Sequence, residues 1–387
     1  MRLFLSAGEV SGDVHGSGLA RALGERLPGV ELVGWGSSRM AAAGVRILED
    51  LVPLAAVGLT ENLAVLRPAS RALARARAYL SSQRPDAVVL IDYQGANMQL
   101  ARTARRLGIP SFYYISPQEW IWGLKGGPRR VARSVDTILA VFEREAEVYR
   151  QAGGDVRFVG HPLLDQVPDP ARVQDLRRRL GFAASDMVLG LFPGSRDPEI
   201  RSLLEPMIEA AELARLRNPA LRIVLPVASS HFADRIAATV GQRSYIHRIE
   251  DASGMEVLAL CTAALAASGT ITLEAAICGT PVVAAYRVSA ITALLARRLL
   301  KIPYVTLPNI VAARGIIPEL LQGEASPLAM AAAIEPLLRE GPPRQSQLEG
   351  LAAVRAQLGE SGAAERAAEA IAQALESLGA PGRHGRL

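Results

Sequence analysis

The sequence predicts an α/β protein made of two doubly wound, Rossmann-like parallel-sheet domains, and three observations carry that prediction. Its 387 residues exceed what one hydrophobic core usually organises. Short runs rich in Val, Ile and Leu alternate with amphipathic stretches, which is the pattern of a parallel sheet covered on both faces. The alternation then resumes after a polar, proline-punctuated segment running from Asp165 to Arg172.

In the first half, strands are expected at Met1 to Ser6, Asp86 to Ile91, Ser111 to Ile115 and Asp136 to Val141. In the second they are expected at Met187 to Phe192, Leu221 to Val227, Ala263 to Ala267 and Pro281 to Ala285. Pro168 and Pro170 stiffen the connection between the halves. The expected division is a first domain over 1–168, a second over 169–345 and closing helices over 346–387 that pack back on the first domain, with a frayed Gly, Pro and Arg tail from Gly379. A cleft between the two domains is the expected ligand site. The apolar stretch from Val257 to Tyr286 is interrupted by Ser268-Gly269, Glu274, Gly279 and Pro281, so it reads as strand, helix and strand rather than a membrane span.

Half of the residues are hydrophobic and 21% are charged, which excludes a disordered chain. The formal charge of +5 rests almost wholly on Arg and is too small to mark a nucleic-acid partner, although it suits phosphate or anionic lipid. Cys261 and Cys278 have neither metal-ligand spacing nor a disulfide framework, and Met1 to Leu5 runs straight into Glu9 and Asp13 without a signal-peptide core. A cytoplasmic protein is therefore expected. His15, His161, His231, His247 and His384 are scattered, which favours catalysis with no metal and no cofactor.

Four segments can carry chemistry. The loop Ser6-Ala7-Gly8-Glu9-Val10-Ser11-Gly12-Asp13 follows the first strand, where glycines permit close approach and Ser11 and Asp13 can cap the next helix. It lacks the G-x-G-x-x-G of a dinucleotide site, which disfavours nicotinamide. Asp92 ends a strand and is followed by Tyr93-Gln94-Gly95-Ala96-Asn97; its carboxylate can serve as a general base or merely turn the chain. Pro193-Gly194-Ser195-Arg196 sets a forked cation beside a helix amino end, a combination suited to a diphosphate, while a solvated surface Arg is the plainer alternative. Ser268-Gly269-Thr270 opens another helix, and Glu274 shares a helical face with Thr270, where it can take ribose hydroxyls or simply face solvent. His161, in Gly160-His161-Pro162, suits a hinge or a diphosphate contact equally.

Together with Ser116-Pro117-Gln118, Tyr286-Arg287, Ala296-Arg297-Arg298-Leu299, Leu307-Pro308-Asn309 and Pro318 to Gln322, these motifs occur in an order that resembles the lipid A disaccharide synthase family from Met1 to about Gln322. The resemblance implies a GT-B glycosyltransferase that joins UDP-2,3-diacylglucosamine to 2,3-diacylglucosamine 1-phosphate with inversion, releasing UDP. It implies Asp92 as base. It further implies that Arg196, Ser268, Gly269, Thr270, Glu274 and Asn309 hold UDP, that Ser11, Gly12 and Asp13 lie near the transferred sugar, and that Asn97, Ser116, Gln118 and Gln322 contact substrate.

The chain departs from the family pattern at Gln94, Ala96, Glu119, Ile121, Glu143 and Arg144, all in the first half, while Trp120 and Trp122 remain to line an acyl groove or fill the core. Two stretches pair apolar with basic residues, Val57 to Arg77 and Ile291 to Lys301, so peripheral docking on an anionic membrane surface is expected unless these are ordinary surface helices. Another GT-B enzyme, such as one with a different lipid acceptor or a UDP-N-acetylglucosamine epimerase, and a non-catalytic UDP-sugar or lipid-binding protein are the rival readings. The sequence assigns no oligomeric state.

Overall fold

In the computed structural model, which describes residues 1–52, 63–122, 126–227, 232–287 and 303–379, the chain divides into two compact units. Unit 1 comprises Met1–Asp165 and Leu358–Leu387, and unit 2 comprises Gln166–Gln357.

Unit 1 runs β1 (Arg2–Ser6), α1 (Val10–Arg26), β2 (Glu31–Trp35), α2 (Ser38–Ala42), β3 (Arg46–Glu49), α3 (Leu63–Gln83), β4 (Ala87–Ile91) and α4 (Gln94–Leu107). It continues through β5 (Ser111–Tyr114), α5 (Glu119–Trp122), α6 (Gly127–Ala132), β6 (Thr137–Ala140), α7 (Glu143–Gln151) and β7 (Asp155–Phe158). Its strands pair in parallel in the order β3-β2-β1-β4-β5-β6-β7. The central strands β1 and β4 have helices on both faces, so Leu3, Phe4 and Leu5 and all five residues of β4 are buried, as their unbroken apolar runs require.

Unit 2 runs α8 (Pro170–Arg179), β8 (Val188–Phe192), α9 (Asp197–Arg217), β9 (Arg222–Pro226), α10 (Ala233–Val240), β10 (Ile246–Ile249), α11 (Gly254–Leu260), β11 (Ala263–Ala267) and α12 (Thr270–Cys278). After β12 (Val282–Tyr286) come α13 (Leu307–Ala312), β13 (Glu319–Leu321), α14 (Pro327–Ile334) and α15 (Pro342–Ala356). The second sheet is also parallel, in the order β10-β9-β8-β11-β12-β13. In each sheet the direction of strand addition reverses once, between β1 and β4 and between β8 and β11. Those two points are where an open α/β sheet leaves a crevice at its carboxyl edge.

The last helix, α16 (Ala363–Gly379), belongs to unit 1 and packs along α1, with Arg26 paired to Glu369. The chain is anchored on its return by Asp165, which accepts from the backbone of Gly362 and Ala363, and by Arg366, which donates to the Val159 carbonyl at 2.8 Å.

Beneath this junction His15 and His161 meet edge to face with ring centroids 6.4 Å apart. Burial pushes His15 down to about 4 and His161 down to about 3, the latter also through its neighbour. The unfolded chain protonates His15 near its ordinary pKa, whereas the folded chain resists until the pH is far lower, so this residue removes stability as pH falls below about 6.5. Because Glu145 and Glu274, both raised to about 7 by burial, act in the opposite direction, the effect is read as a difference between variants. His15→Leu, which replaces an imidazole whose Nδ1 has no partner among the described residues, is expected to lose about 2 kcal/mol less stability than the parent between pH 7.5 and pH 5. Parallel urea titrations at the two pH values check this, and identical losses would remove His15 as the cause.

Candidate active site

At the switch point of unit 1, β4 ends in two consecutive non-glycine residues with left-handed backbones, Asp92 (φ 50°) and Tyr93 (φ 48°). Such a pair is strained and persists only where its surroundings hold it. Here the Asn97 amide donates to the carbonyls of Ser6, Ile91 and Asp92 at 3.2, 3.1 and 2.8 Å, and its oxygen accepts from the Ser6 hydroxyl at 2.6 Å. The Tyr113 hydroxyl donates to the Asp92 carbonyl at 2.9 Å, and the Asp92 N–H donates to Tyr114. Backbone bonding fixes the residue while the Ser11 hydroxyl, at 3.3 Å, approaches its carboxylate Oδ2. Gly8 has to be glycine for a steric reason, since a Cβ there would lie 2.4 Å from the Tyr93 ring.

The structure reassigns several neighbours. Ser11 and Asp13 do not cap α1, because they lie inside its first turns and Glu9 is the N-cap. Asp13 is buried and accepts instead from the backbone N–H groups of Ser37, Arg39 and Met40, so it caps α2. Gly12 is buried as well, where a Cβ would press on Ala7 at 3.3 Å; it lets α1 approach the sheet rather than a ligand. Asn97 likewise spends its whole amide on the β1 and β4 ends, which makes it a positioning residue for Asp92.

Ser116 is buried, and its hydroxyl donates to Glu145, whose other oxygen accepts from the N–H groups of Val141 and Phe142 at 2.9 and 3.2 Å. Burial raises the Glu145 carboxyl to about 7. Ser116 thus ties the turn after β5 to α7, while Gln118 two residues on is exposed. Trp120 is core, its ring 5.4 Å from that of Phe142. The Trp122 side chain lies outside the described residues.

In unit 2 the loop after β8 turns through Gly194 (φ 114°) and exposes Ser195 and Arg196. Its backbone donors are already used: Glu199 Oε2 accepts from the N–H of Ser195 at 3.1 Å and of Arg196 at 3.3 Å. This corrects the expectation that those N–H groups stand open for a diphosphate, and it identifies Glu199 as a residue missed by sequence reading. Its spacing, three residues beyond the N-cap Arg196, is the available signal for such a capping carboxylate.

The neighbouring turn is open. Gly269 is the N-cap of α12, it and Thr270 are exposed, and no atom lies within 4 Å of a Cβ built on Gly269. The Ser268 hydroxyl is turned to the Val305 carbonyl at 3.2 Å. One turn into α12, burial lifts the Glu274 carboxyl to about 7, and it receives no hydrogen bond among the described residues. A carboxylate accepting two hydroxyls is favoured in its ionised form. With Glu274 as the acceptor of ribose hydroxyls, the role the family resemblance implies, uridine, which carries no titrating phosphate, is expected to bind more weakly by up to about tenfold per pH unit as pH falls below the Glu274 pKa. Calorimetry at pH 6 and pH 8 checks this, and Glu274→Gln should flatten the profile; a parent profile already flat would remove Glu274 from the uridine site.

Asn309 is a further correction. Its Oδ1 accepts from Ile316 and Ile317 N–H groups at 2.7 and 2.9 Å, and its Nδ2 donates to the Ile317 carbonyl at 2.9 Å and Glu319 Oε1 at 2.7 Å. With both ends saturated, it braces the 303–319 segment instead of holding a nucleotide. Gln322 follows β13 with a left-handed backbone (φ 54°) and is half-buried. Arg287 donates to the carbonyls of Ser202 and Ala325. His161 is buried and its Nδ1 accepts from the Leu163 N–H at 3.2 Å. Ala296-Arg297-Arg298-Leu299, the stretch Ile291 to Lys301 and residues 57–62 of the other expected docking stretch lie outside the described residues. No group of three or more His, Cys, Asp or Glu able to hold a metal occurs among the described residues, and no helix there is long and apolar enough to cross a membrane.

Two parallel-sheet units, each with its motif loops at the strand-order reversal, define the GT-B architecture of glycosyltransferases and UDP-sugar epimerases. Among solved structures, the calicheamicin glycosyltransferase CalG4 superposes with a TM-score of 0.65 at 16% identity, covering 98% of this chain and 99% of that one. A UDP-N-acetylglucosamine 2-epimerase from Listeria monocytogenes gives a TM-score of 0.67 at 14% identity, covering 97% of each chain. At such identities the likeness concerns the fold alone. The particular family comes from sequence: residues 3–374 match the lipid-A-disaccharide synthetase family, and the chain belongs to it. The lipid-A-disaccharide synthase of Myxococcus xanthus is 38% identical over 99% of this chain and 98% of its own length. That of Geobacter sulfurreducens is 39% identical over 98% and 97%.

Proposed function

We propose that this chain joins UDP-2,3-diacylglucosamine to 2,3-diacylglucosamine 1-phosphate, forming the β-1,6 disaccharide 1-phosphate and UDP. The observation that carries the reading is Asp92, held by Asn97 and Tyr113 at the carboxyl end of a central strand with the Ser11 hydroxyl beside its carboxylate. In the proposed reaction Asp92 accepts the proton of the acceptor 6-hydroxyl as that oxygen attacks the anomeric carbon. The bond to UDP breaks on the opposite side, which inverts the centre. Charge growing on the departing diphosphate is met by the Arg196 guanidinium and the amino end of α12. Glu274 accepts the ribose hydroxyls. Unit 1 thus serves the acceptor and unit 2 the nucleotide.

The test is direct. Purified protein given both substrates in detergent should yield a lipid of the disaccharide 1-phosphate mass together with one UDP per disaccharide. UDP-sugar turnover without an acceptor would point to epimerase chemistry instead, and UDP binding without any product would point to a binding protein.

A further inference from the structure

Between Tyr93 and Val135 the chain carries seven basic residues and a single acidic one, Glu119. Helices α4 and α6, which supply Arg102, Arg105, Arg106, Arg129 and Arg130, contain no Asp or Glu, and Arg133 follows directly. Part of this set lines a groove of about 370 Å³ walled by Gln94, Gly95, Met98, Arg102 and Arg130. Gln94 and Gly95 stand two and three residues beyond Asp92, so the groove begins at the amino end of the helix that follows the proposed base. A wider basin of about 670 Å³ continues from it along Arg102, Arg105, Arg106 and Arg133. Arg102 is exposed, and its guanidinium has no partner among the described residues.

Glu119 sets the shape of this groove. It is buried, and its Oε1 accepts from Gln94 Nε2 at 2.8 Å and from Arg130 at 2.9 Å, while Oε2 has no hydrogen-bond partner among the described residues. The carboxylate therefore pins the start of α4 to α6. Two of the positions where this chain departs from its family pattern, Gln94 and Glu119, are thus bonded to each other, and Gln94 lines the groove. Arg130 remains more than half exposed despite its bond, so it can turn further donors outward.

We infer that this groove is the subsite for the acceptor's 1-phosphate, with Arg102 and Arg130 as its ligands and the wider arginine basin drawing anionic acceptor toward it. This rests on the acceptor named under the proposed function. The chemistry fits: guanidinium forks match phosphate oxygens, and basic residues that outnumber the single buried carboxylate of Glu119 favour phosphomonoesters there. The neutral glycoside of the same sugar would gain nothing there.

Steady-state kinetics in detergent micelles free of phospholipid test the inference, because no other lipid phosphate is then present. Arg102→Ala is expected to raise the acceptor KM about tenfold or more and to leave the donor KM within about twofold. Preference for the 1-phosphate over the 1-O-methyl glycoside should shrink by the same factor. Arg130→Ala should act in the same direction, and Arg21→Ala, a charge-matched change on α1, should not. An unchanged acceptor KM in both groove variants, or an equal loss on the uncharged glycoside, overturns the subsite while leaving the glycosyltransferase reading standing. Failure of the parent protein to form any disaccharide from these substrates overturns both.

Discussion

Asp92→Asn is expected to lower kcat by about a hundredfold or more while the donor KM stays within about twofold. The amide occupies the same volume and can still accept from Ser11, so the backbone clamp by Asn97 and Tyr113 has no reason to loosen. What disappears is the capacity to take a proton. An alcohol attacking without a base develops positive charge on its oxygen in the transition state, and that cost falls on kcat and on kcat/KM alike. The proposed function gives UDP recognition to unit 2, whereas Asp92 belongs to unit 1. A variant that retains kcat within about threefold of the parent would show that Asp92 turns the chain and does nothing more.

The second large effect concerns the donor. UDP-2,3-diacylglucosamine is expected to exceed UDP-N-acetylglucosamine in kcat/KM by about a thousandfold. Each buried methylene contributes about 0.8 kcal/mol, so a surface that covers only five methylenes already supplies about 4 kcal/mol. The uridine and diphosphate are common to both donors and cancel in the ratio, leaving the acyl chains to decide it. UDP release measured with each donor at one acceptor concentration gives the ratio. Faster consumption of the N-acetyl donor than of any diacylated one would contradict the proposed substrates while leaving the GT-B architecture untouched.

The strands legible as apolar runs are the inner ones: β1, β4, β5, β6, β8, β9, β11 and β12 are among or adjacent to the sheet centres, where both faces are covered. Four that gave no such run, β3, β7, β10 and β13, are the outermost strands of the two sheets. An edge strand keeps part of its surface in water, so RILE, DVRF and IHRI mix charged or polar with apolar residues over only four positions and resemble loops. The inner strand β2 begins at Glu31 and is interrupted by Gly34, which hides it similarly.

At the sites, sequence located the loops better than it assigned the atoms. The Ser11 hydroxyl lies 3.3 Å from the Asp92 carboxylate, whereas Asp13 and Asn309, equally prominent in those motifs, have side-chain bonds taken up by the start of α2 and by backbone and the Glu319 carboxylate of the 303–319 segment. A polar residue in a loop motif has the same letter whether it holds a ligand or holds the loop. Only the census of its partners separates the two. Glu199, Tyr113 and Glu119 act through contacts with residues whose proximity or hydrogen-bond geometry the motifs do not reveal.

The placement of α16 on unit 1 has a consequence for synthesis. Residues 166–357 form a continuous segment, so unit 2 can close its core as soon as they leave the ribosome. Unit 1 cannot do the same, because the surface of α1 that meets α16 stays bare until Ala363–Gly379 has been made. During translation of the intervening residues, the nascent chain therefore holds an unfinished amino-terminal half beside a finished middle. Messenger truncated shortly before codon 363 should yield a protein whose second half is intact and whose first half is a substrate for chaperones and proteases.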